Sequence, residues 1–406
     1  MKLFKYDKPE EPICYFGTNK QIEIKDLNVR KDVYGLWVSN VVNIDMPSLK
    51  DIEIYKNKVK EIVKTCQSYH INTIFFQVRT TNDAFYPSKI NPSSRYLMEE
   101  EGRKMPFDVF EYMINQAKNA SLSVHAWLNP YRVSMKSDLS KDEYLKTCDD
   151  LNFAKKHPDL LVTDKKGQFI LNPASEKVKK HILNTIDEIL NHYDIDGIHF
   201  DDYFYPYGGL SDDNDDTLLF EQRDDKNQSI GDFRRMHVTD IVRRTYKLIK
   251  SHHTKLQFGI SPFGIWKNKT KDNHGSHTSI KASQSYSNEY ADSYHWVKEG
   301  IIDYICPQIY WQFAHELAPF ADLVDFWVDA VKDTNVDLYI GHAPYRLGQE
   351  GDFKNPMEIV NQLMYCEQYD EIKGHVFFTY HTFIDEGPTQ EGMAHLRNYL
   401  TKEYTK

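Results

Sequence analysis

Short, apolar, β-rich runs recur eight times along the chain, with helix-like stretches between them. The runs predicted as strands are 35–41, 71–79, 122–128, 195–200, 256–261, 301–310, 336–340 and 375–380. Strands that alternate with helices pair in parallel through right-handed crossovers, and eight of them close a barrel. The sequence therefore predicts an α/β fold, a (β/α)8 TIM barrel. An open, doubly wound sheet is the alternative, but no Gly-x-Gly-x-x-Gly motif follows the first run.

Four connections between the predicted elements are far longer than ordinary loops. They are 80–106, 129–163, 203–231 and 262–289. Each leaves the carboxyl end of a predicted strand, which is the face of a TIM barrel that carries active sites. We therefore expect long loops around a site at this face, in a single domain at 31–406 that follows an N-terminal extension at 1–30.

The charge of the chain narrows its classes of partner. A formal net charge of −10 disfavours nucleic acid and anionic membrane surfaces, because both are themselves negative. A neutral polymer remains possible, and hydrophobic residues, at 40%, are numerous enough to build a core. The pattern makes no prediction of the oligomeric state.

The cysteines and the first residues bear on cofactors and location. Five scattered cysteines form no Cys-x-x-Cys pair, so neither a disulfide framework nor a zinc site is predicted, and no cofactor is expected. Residues 1–20 hold no apolar run of signal-peptide length, and no stretch is long enough to insert in a membrane. As it stands, the sequence predicts a cytoplasmic protein. A secreted or cell-envelope location is expected if these residues are part of a longer chain with a leader.

The strongest local signal is the run Asp-Ile-Asp-Gly-Ile-His-Phe-Asp-Asp-Tyr-Phe-Tyr-Pro at 194–206, at the end of the fourth predicted strand. Side chains along a strand alternate between faces, so His199, Asp201 and Tyr203 should share the side that faces the barrel interior. An ionised carboxylate at the mouth is costly unless it is paired or used in chemistry. Asp201 and Asp202 are therefore the candidate catalytic residues.

Amide, guanidinium and aromatic side chains cluster at the ends of the other predicted strands. Such groups suit sugars, which need planar hydrogen-bonding partners and flat apolar faces. The candidate substrate-binding residues are Arg79, Asp83, Trp127, Asn129, Arg132, Tyr203, Tyr205, Gln308, Tyr310, Trp311 and Tyr345. Together they indicate a site for an oligosaccharide or polysaccharide.

Glycoside cleavage needs two carboxyl functions, or one carboxyl with help from the substrate. We expect Asp201 to act as nucleophile, base or stabilising charge, and Asp202 or a loop acid such as Asp83 to donate the proton. Glu289 and Asp292 are further acidic candidates on the same rim. The proton donor must have a raised pKa, which burial or a neighbouring charge can supply.

Motifs spread along the chain carry a family resemblance. They are Gly-Leu-Trp-Val-Ser at 35–39, Gln-Val-Arg at 77–79, Asp-Ala-Phe-Tyr-Pro-Ser at 83–88, His-Ala-Trp-Leu-Asn-Pro-Tyr-Arg at 125–132, His-Pro-Asp at 157–159, Leu-Asn-Pro at 171–173, the run at 196–206, Ile-Ser-Pro-Phe-Gly-Ile-Trp at 260–266 and Pro-Gln-Ile-Tyr-Trp at 307–311. In this order, over 32–385, the chain resembles the glycosyl hydrolase-like 10 family. The resemblance implies a bacterial TIM-barrel glycosidase that acts on cell-wall glycans or extracellular polysaccharides, with Asp201 or Asp202 in the matching acidic motif.

The chain departs from the family in two ways. Members usually carry an export signal or a lipoprotein anchor, and they tend to have an acid after Gln-Ser-Tyr where this chain has Ser287. If that acid has a role, Glu289 or Asp292 would take it. A fainter likeness to family-18 chitinases fails at His199 and Tyr203, which stand where an Asp and the catalytic Glu would be, so a simple chitinase mechanism is not expected.

The sequence thus predicts a glycoside hydrolase that cleaves O-glycosidic bonds of a bacterial polysaccharide. Denuded peptidoglycan glycan or another N-acetylhexosamine polymer is the expected substrate. Tyr203 and Ser287 motivate one alternative, a barrel that binds carbohydrate without cutting it. A metal-dependent hydrolase with His125, His199 and Asp201 as ligands is another, although the first strand lacks the His-x-His of such barrels.

Overall fold

The computed structural model describes residues 1–135, 138–271 and 273–402; the last four residues of the predicted domain, 403–406, lie outside this range. Its strands are β1 Phe4–Lys5, β2 Lys8–Pro12, β3 Val33–Val38, β4 Thr73–Arg79, β5 Ser123–Leu128, β6 Leu161–Thr163, β7 Phe169–Leu171, β8 Gly197–Phe200, β9 Gln257–Ile260, β10 Tyr304–Ile305, β11 Asp337–His342 and β12 Ile372–Phe377. Eight of them close a parallel barrel in the order β3-β4-β5-β8-β9-β10-β11-β12, and β12 pairs again with β3. The predicted TIM barrel is confirmed.

Helices follow the barrel strands and cover them from outside. They are α1 Ile52–Ser68, α2 Arg95–Met98, α3 Val109–Asn119, α4 Lys141–Lys146, α5 Phe153–Lys156, α6 Glu176–His192, α7 Thr217–Glu221, α8 Ile230–His252, α9 Ser293–Glu299, α10 Phe320–Val331, α11 Glu358–Cys366 and α12 Gln390–Leu400. Short 3-10 helices lie at Val41–Asn43, Pro158–Leu160, Pro344–Arg346, Gly351–Lys354 and Tyr380–Phe383. Asp51 and Asp108 cap α1 and α3, where their side chains accept backbone N–H groups that the first turn leaves unpaired.

The alternation of side chains along each strand divides the core into two layers. On β4, Ile74 and Phe76 face outward and pack in the large core beneath the helices, whereas Phe75 faces inward. Inside the barrel, Phe75 packs with Trp37, Trp127 and other inward side chains. This interior is filled, so a ligand can enter only at the rim.

The sixth barrel strand is much shorter than predicted. The sequence predicts 301–310, but β10 covers Tyr304–Ile305 alone. Pro307 has no N–H to donate to a neighbouring strand, so the ladder stops there. It resumes at Gln308 as isolated bridges to Phe263 and Gly341.

The N-terminal segment folds back onto the barrel. β1 and β2 form a separate antiparallel pair, and Leu3, Ile13 and Ile22 are buried in the main core. The N–H of Tyr6 donates to Asp352 over 2.9 Å, which joins this segment to the loop after β11. A second antiparallel pair, β6 and β7, lies within the long connection after β5. Among the described residues, no helix is both long and apolar enough to cross a membrane.

Candidate active site

A cavity of about 230 Å³ opens at the carboxyl end of the barrel. Its aromatic lining is Trp37, Trp127, Tyr203, Tyr207, Tyr310 and Phe378. Its polar lining is Ser39, Gln77, Arg132, Asp201, Asp202 and Gln308. Both candidate catalytic residues therefore reach one cavity, together with Trp127, Arg132, Tyr203, Gln308 and Tyr310 of the candidate binding residues.

Three N–H donors surround the carboxylate of Asp201. The Nδ2 group of Asn129 donates to Oδ2 over 2.8 Å, and Oδ1 accepts from the backbone N–H of Asp202 at 2.9 Å and from Nε2 of Gln308 at 3.2 Å. All three contacts treat Asp201 as an acceptor. Asp201 lies directly after β8, and its own N–H still bonds to the carbonyl of Leu128, so the barrel wall fixes its position.

The electrostatic surroundings of Asp202 differ from those of Asp201. Its pKa is raised well above its ordinary value, chiefly by burial, and then by the negative charge of Asp201, by a side-chain hydrogen bond with Asp201, and by Glu289; Arg132 acts against these effects. Asp202 is only 5% exposed but lines the cavity. Burial and the neighbouring negative charge therefore both favour the protonated form of Asp202. A carboxyl that holds a proton and faces a cavity is suited to general-acid catalysis.

A relay of amides sets the orientation of Asn129. The backbone N–H groups of Asn40 and Val41 donate to Oε1 of Gln77 at 2.8 and 2.9 Å, which leaves Nε2 of Gln77 to donate to Oδ1 of Asn129 at 2.7 Å. Nδ2 of Asn129 must then face Asp201. Because backbone N–H groups can only donate, the direction of every bond in this relay is determined.

A fully paired layer of polar side chains lies beneath the cavity. Trp37 Nε1 can only donate, so Nε2 of His199 accepts from it at 3.2 Å and Nδ1 of His199 carries the hydrogen. Tyr304 receives that hydrogen at 2.9 Å and passes its own to Nδ1 of His125, also at 2.9 Å. Burial lowers the pKa of His125 to about 3 and that of His199 well below its ordinary value. Both rings are neutral members of the scaffold.

This arrangement bears on the metal-dependent alternative. His125 and His199 both bond to Tyr304, and His199 also contacts Ser261 at 2.9 Å. Across the described ranges, no group of three or more His, Cys, Asp or Glu side chains has an arrangement that could hold a metal ion. The two histidines position each other through Tyr304 rather than converging with Asp201.

Glu289 is fully buried, and neither carboxylate oxygen has a hydrogen-bond partner within the described structure. Burial raises its pKa to about 8. It does not line the cavity, and it acts on the site through its effect on the pKa of Asp202. Asp292, the other loop acid, accepts from Trp266 Nε1 at 2.9 Å and is engaged in the loop itself.

Aromatic and cationic groups form the wall beside Asp202. The guanidinium of Arg132 lies 4.4 Å from the ring centre of Tyr203, and Tyr203 meets Tyr207 edge to face at 5.2 Å. Nε1 of Trp127 is buried without a partner among the described residues. This wall can offer ring faces and N–H donors to a sugar.

Arg79 and Asp83, predicted as substrate-binding residues, do not line the cavity. The register of β4 shifts between Gln77 and Arg79, so simple alternation fails there. Arg79 is fully buried and donates to Asn91 and Asn82 at 2.7 and 2.5 Å. Asp83 accepts from the N–H groups of Thr80 and Thr81. Both residues hold the loop after β4 in shape.

Tyr205, another predicted binding residue, also lies outside the lining of the cavity. It is 1% exposed, and its hydroxyl donates to Asp216 over 2.8 Å. Asp216 in turn pairs with Arg234, so Tyr205 stabilises the loop after β8 from within.

Three further candidates adjoin the cavity without lining it. Asn129 lies behind Asp201 and orients it. Trp311 packs edge to face on Phe263 at 5.4 Å, and Tyr345 lies beside Tyr310 at 6.3 Å with 39% of its surface exposed. Trp311 and Tyr345 therefore belong to the rim outside the cavity.

Several lining residues were absent from the sequence-based candidates. Trp37, Gln77, Tyr207 and Phe378 all contribute to the wall or floor. Gln77 and Trp37 could have been found from alternation, since both sit on inward positions near strand ends. Tyr207 and Phe378 lie in irregular segments, where spacing carries no signal.

Comparison with known proteins agrees with this geometry. Over 355 residues the chain is 36% identical to glycosyl hydrolase YngK of Bacillus subtilis, covering 86% of this chain and 68% of the relative. It is 30% identical over 383 residues to glycosyl hydrolase DigH of Escherichia coli K12, covering 90% of this chain and 86% of the relative.

Among solved structures, an alpha-L-fucosidase isoenzyme of Paenibacillus thiaminolyticus shares the fold with a TM-score of 0.52 at 12% identity. The match covers 91% of this chain but about half, 49%, of that protein. The sequence pattern of the family described as Glycosyl hydrolase-like 10 matches residues 32–358. With its closed parallel barrel and its paired rim carboxyls, the chain belongs to the glycosyl hydrolase-like 10 family and is a glycoside hydrolase.

Proposed function

We propose that the enzyme cleaves O-glycosidic bonds in a polysaccharide that contains N-acetylhexosamine, such as peptidoglycan glycan strands without stem peptides. Asp202 is the proton donor in this proposal, and Asp201 is the negative charge that holds it. The observation that carries the proposal is that Asp201 and Asp202 line one cavity, where the backbone N–H of Asp202 donates to Oδ1 of Asp201 over 2.9 Å and the pKa of Asp202 is raised.

The closeness of the two carboxyls limits the mechanism. A pair that flanks the scissile bond is separated by about 5 Å in retaining enzymes and by about 6.5–9.5 Å in inverting ones. Asp201 and Asp202 are in hydrogen-bond contact, so both lie on one side of the bond. They are the carboxylic residues among the described residues that line the cavity. The opposite face of the sugar must then be attacked by another group.

A 2-acetamido group of the substrate supplies that attack in our proposal. Its carbonyl oxygen bonds to C1 as the C1–O bond to the leaving sugar breaks, and the proton of Asp202 passes to the departing oxygen. Water then opens the cyclic intermediate and returns a proton to Asp202. Such substrate assistance needs only one protein acid in contact with the leaving group. It also explains why Tyr203 need not be a carboxylic residue.

The relatives support the reaction class. YngK and DigH are named as glycosyl hydrolases. The alternative of a barrel that binds glycan without cutting it conflicts with this family membership and with a buried acid of raised pKa beside a cavity. The bacterial glycan itself is part of our proposal.

The test uses glycans that differ in the acetamido group. We expect release of reducing ends from chito-oligosaccharides or denuded glycan strands, and none from the same chains after deacetylation. A thiazoline analogue of the cyclic intermediate should inhibit competitively. Asp194→Asn, at an exposed residue on the opposite end of the barrel, is the matched control for Asp202→Asn. Equal cleavage of acetylated and deacetylated chains would refute the assisted mechanism.

A further inference from the structure

A second and larger cavity, of about 590 Å³, opens at the same end of the barrel. One wall comes from the N-terminal strand pair, at Lys5, Asp7 and Lys8. The other walls come from the loops that follow β10 and β11, at 312–317 and 350–352. Since both loops leave carboxyl ends of barrel strands, this cavity shares the rim with the catalytic one.

An aromatic ridge separates the two cavities. Tyr310 lines the catalytic cavity and Gln312 lines the second one, so they are two residues apart on one loop. Arg346, which lines the second cavity, donates to the carbonyl of Tyr310 over 2.9 Å. Trp311 and Tyr345 sit on this ridge and are partly exposed. A sugar chain that leaves the catalytic cavity in this direction meets ring faces first.

The second cavity also contains polar atoms suited to sugar hydroxyls. Asp352 is 6% exposed; its Oδ1 accepts from the N–H of Tyr6, and its Oδ2 has no partner in the described structure. Nδ1 of His315 accepts from the N–H groups of Leu317 and Ala318, so Nε2 carries the hydrogen. The cavity thus presents an unused acceptor and a ring N–H, as a polyol requires.

The charges around the cavity are largely paired with one another. Lys5 and Lys8 both bond to Glu11, at 2.6 and 2.7 Å. Asp7 pairs with Lys354 at 2.9 Å. Mutual pairing leaves little net field for an isolated ion and favours a ligand that is bound by hydrogen bonds and ring contacts.

We propose that this cavity is a distal sugar-binding site for the polysaccharide chain that is cut at Asp202. Sugars beyond the cleavage point cross the ridge at Trp311 and Tyr345 and bind between the N-terminal strand pair and Asp352. The inference rests on the proposed function and adds to it that the enzyme prefers long chains.

The test compares chito-oligosaccharides of two and eight sugars. Tyr345→Ala should raise KM for the eight-sugar chain by about three- to tenfold, the range expected for the loss of one aromatic contact, and leave kcat/KM for the two-sugar chain unchanged. Asp352→Asn should raise KM for the long chain only. Tyr246→Ala, at a half-buried tyrosine on α8, is the control and should change neither.

Binding without turnover separates this proposal from the proposed function. Trp fluorescence titration of Asp202→Asn, which the proposed function expects not to cut, should show tighter binding of the eight-sugar chain than of the two-sugar chain, and adding Tyr345→Ala should remove the difference. Equal affinity of Asp202→Asn for the two lengths would overturn the distal site. If long chains bind in this way but the wild type does not cut them, the distal site stands and the proposed reaction fails.

Discussion

Two adjoining layers at the top of the barrel differ in how their buried polar groups are paired. In the lower layer, Trp37, His199, Tyr304 and His125 form one continuous chain of hydrogen bonds. In the upper layer, the pKa of Asp202 is raised well above its ordinary value, and Glu289 has no partner among the described residues. Buried polar groups are nearly always paired, so exceptions mark sites of chemistry. The lower layer supports the fold, and the upper layer is available for reaction.

The largest effect is expected at Asp202. In Asp202→Asn the new amide can still donate to Asp201, so the fold keeps its hydrogen bond, but no proton can pass to the leaving sugar. We expect kcat to fall by about 10²–10⁴-fold, the usual contribution of a general acid. Steady-state rates and thermal denaturation measure the two properties separately.

The pH dependence sharpens the same prediction. In the proposed mechanism the protonated form of Asp202 is the active one, so wild-type kcat should fall on the alkaline side as pH passes its raised pKa. The residual activity of Asp202→Asn should not show this fall at alkaline pH. If the variant kept both the wild-type rate and the alkaline fall, the proton donor would be a different residue.

The lower layer should respond in stability instead. His199→Leu leaves Trp37 Nε1 without its acceptor and removes one of the two partners of the Tyr304 hydroxyl, and a buried group left unpaired costs about 1–3 kcal/mol. We expect the free energy of unfolding to fall by about 3 kcal/mol in urea titrations. If His199→Leu were as stable as Asp202→Asn, the contrast between the layers would be lost.

A substitution at Glu289 measures how much the unpaired carboxyl in the upper layer lowers the free energy of unfolding. Its pKa in the folded protein is about 8, above its ordinary value of 4.5, so the folded state binds the extra proton between these values. Wild-type stability must therefore fall as pH rises from 4.5 towards 8. Glu289→Gln should match the wild type at pH 4.5 and exceed it by up to about 3 kcal/mol at pH 8. Parallel stability curves for the two proteins would contradict this assignment.

The smallest effect is expected at Gln77, which connects the backbone to the site. Gln77→Glu keeps an acceptor for Asn40 and Val41 but removes the donor to Asn129. Asn129 should then turn its oxygen towards Asp201, and we expect kcat to fall by about tenfold with little change in KM. Gln222→Glu, which adds the same charge at an exposed position, is the control. Gln77→Ala with wild-type kcat would show that the relay is dispensable.

The barrel could be predicted because each of its strands is marked by a short apolar run in the sequence. All eight predicted strands are present, and the alternation of His199 and Asp201 correctly placed an acid at the mouth of the fourth. Both signals are local: an apolar run and a period of two. Local signals did not predict the shortened β10. Pro307 is evident in the sequence, but its effect on the strand depends on the neighbouring strands.

The predicted binding residues that lie outside the cavity follow positions where local sequence rules no longer apply. Arg79 follows a register shift that depends on pairing with β5, and Tyr205 lies in a loop whose path is set by Asp216. Neither feature produces a periodic pattern in the sequence. The raised pKa of Asp202 likewise depends on burial and on Glu289, which is distant in sequence. The sequence could name acids but could not rank their proton affinities.

The N-terminal strand pair has a consequence for dynamics. β1 and β2 are a two-stranded sheet, which is marginal on its own and opens locally at low free-energy cost. A chain of sugars that bridges Lys5, Lys8 and Asp352 binds only the closed form and so stabilises it by mass action. Amide hydrogens of β2 should therefore exchange with deuterium more slowly when long glycans are present. The exchange rate of the β2 amides then measures how fully the second cavity is occupied by sugars.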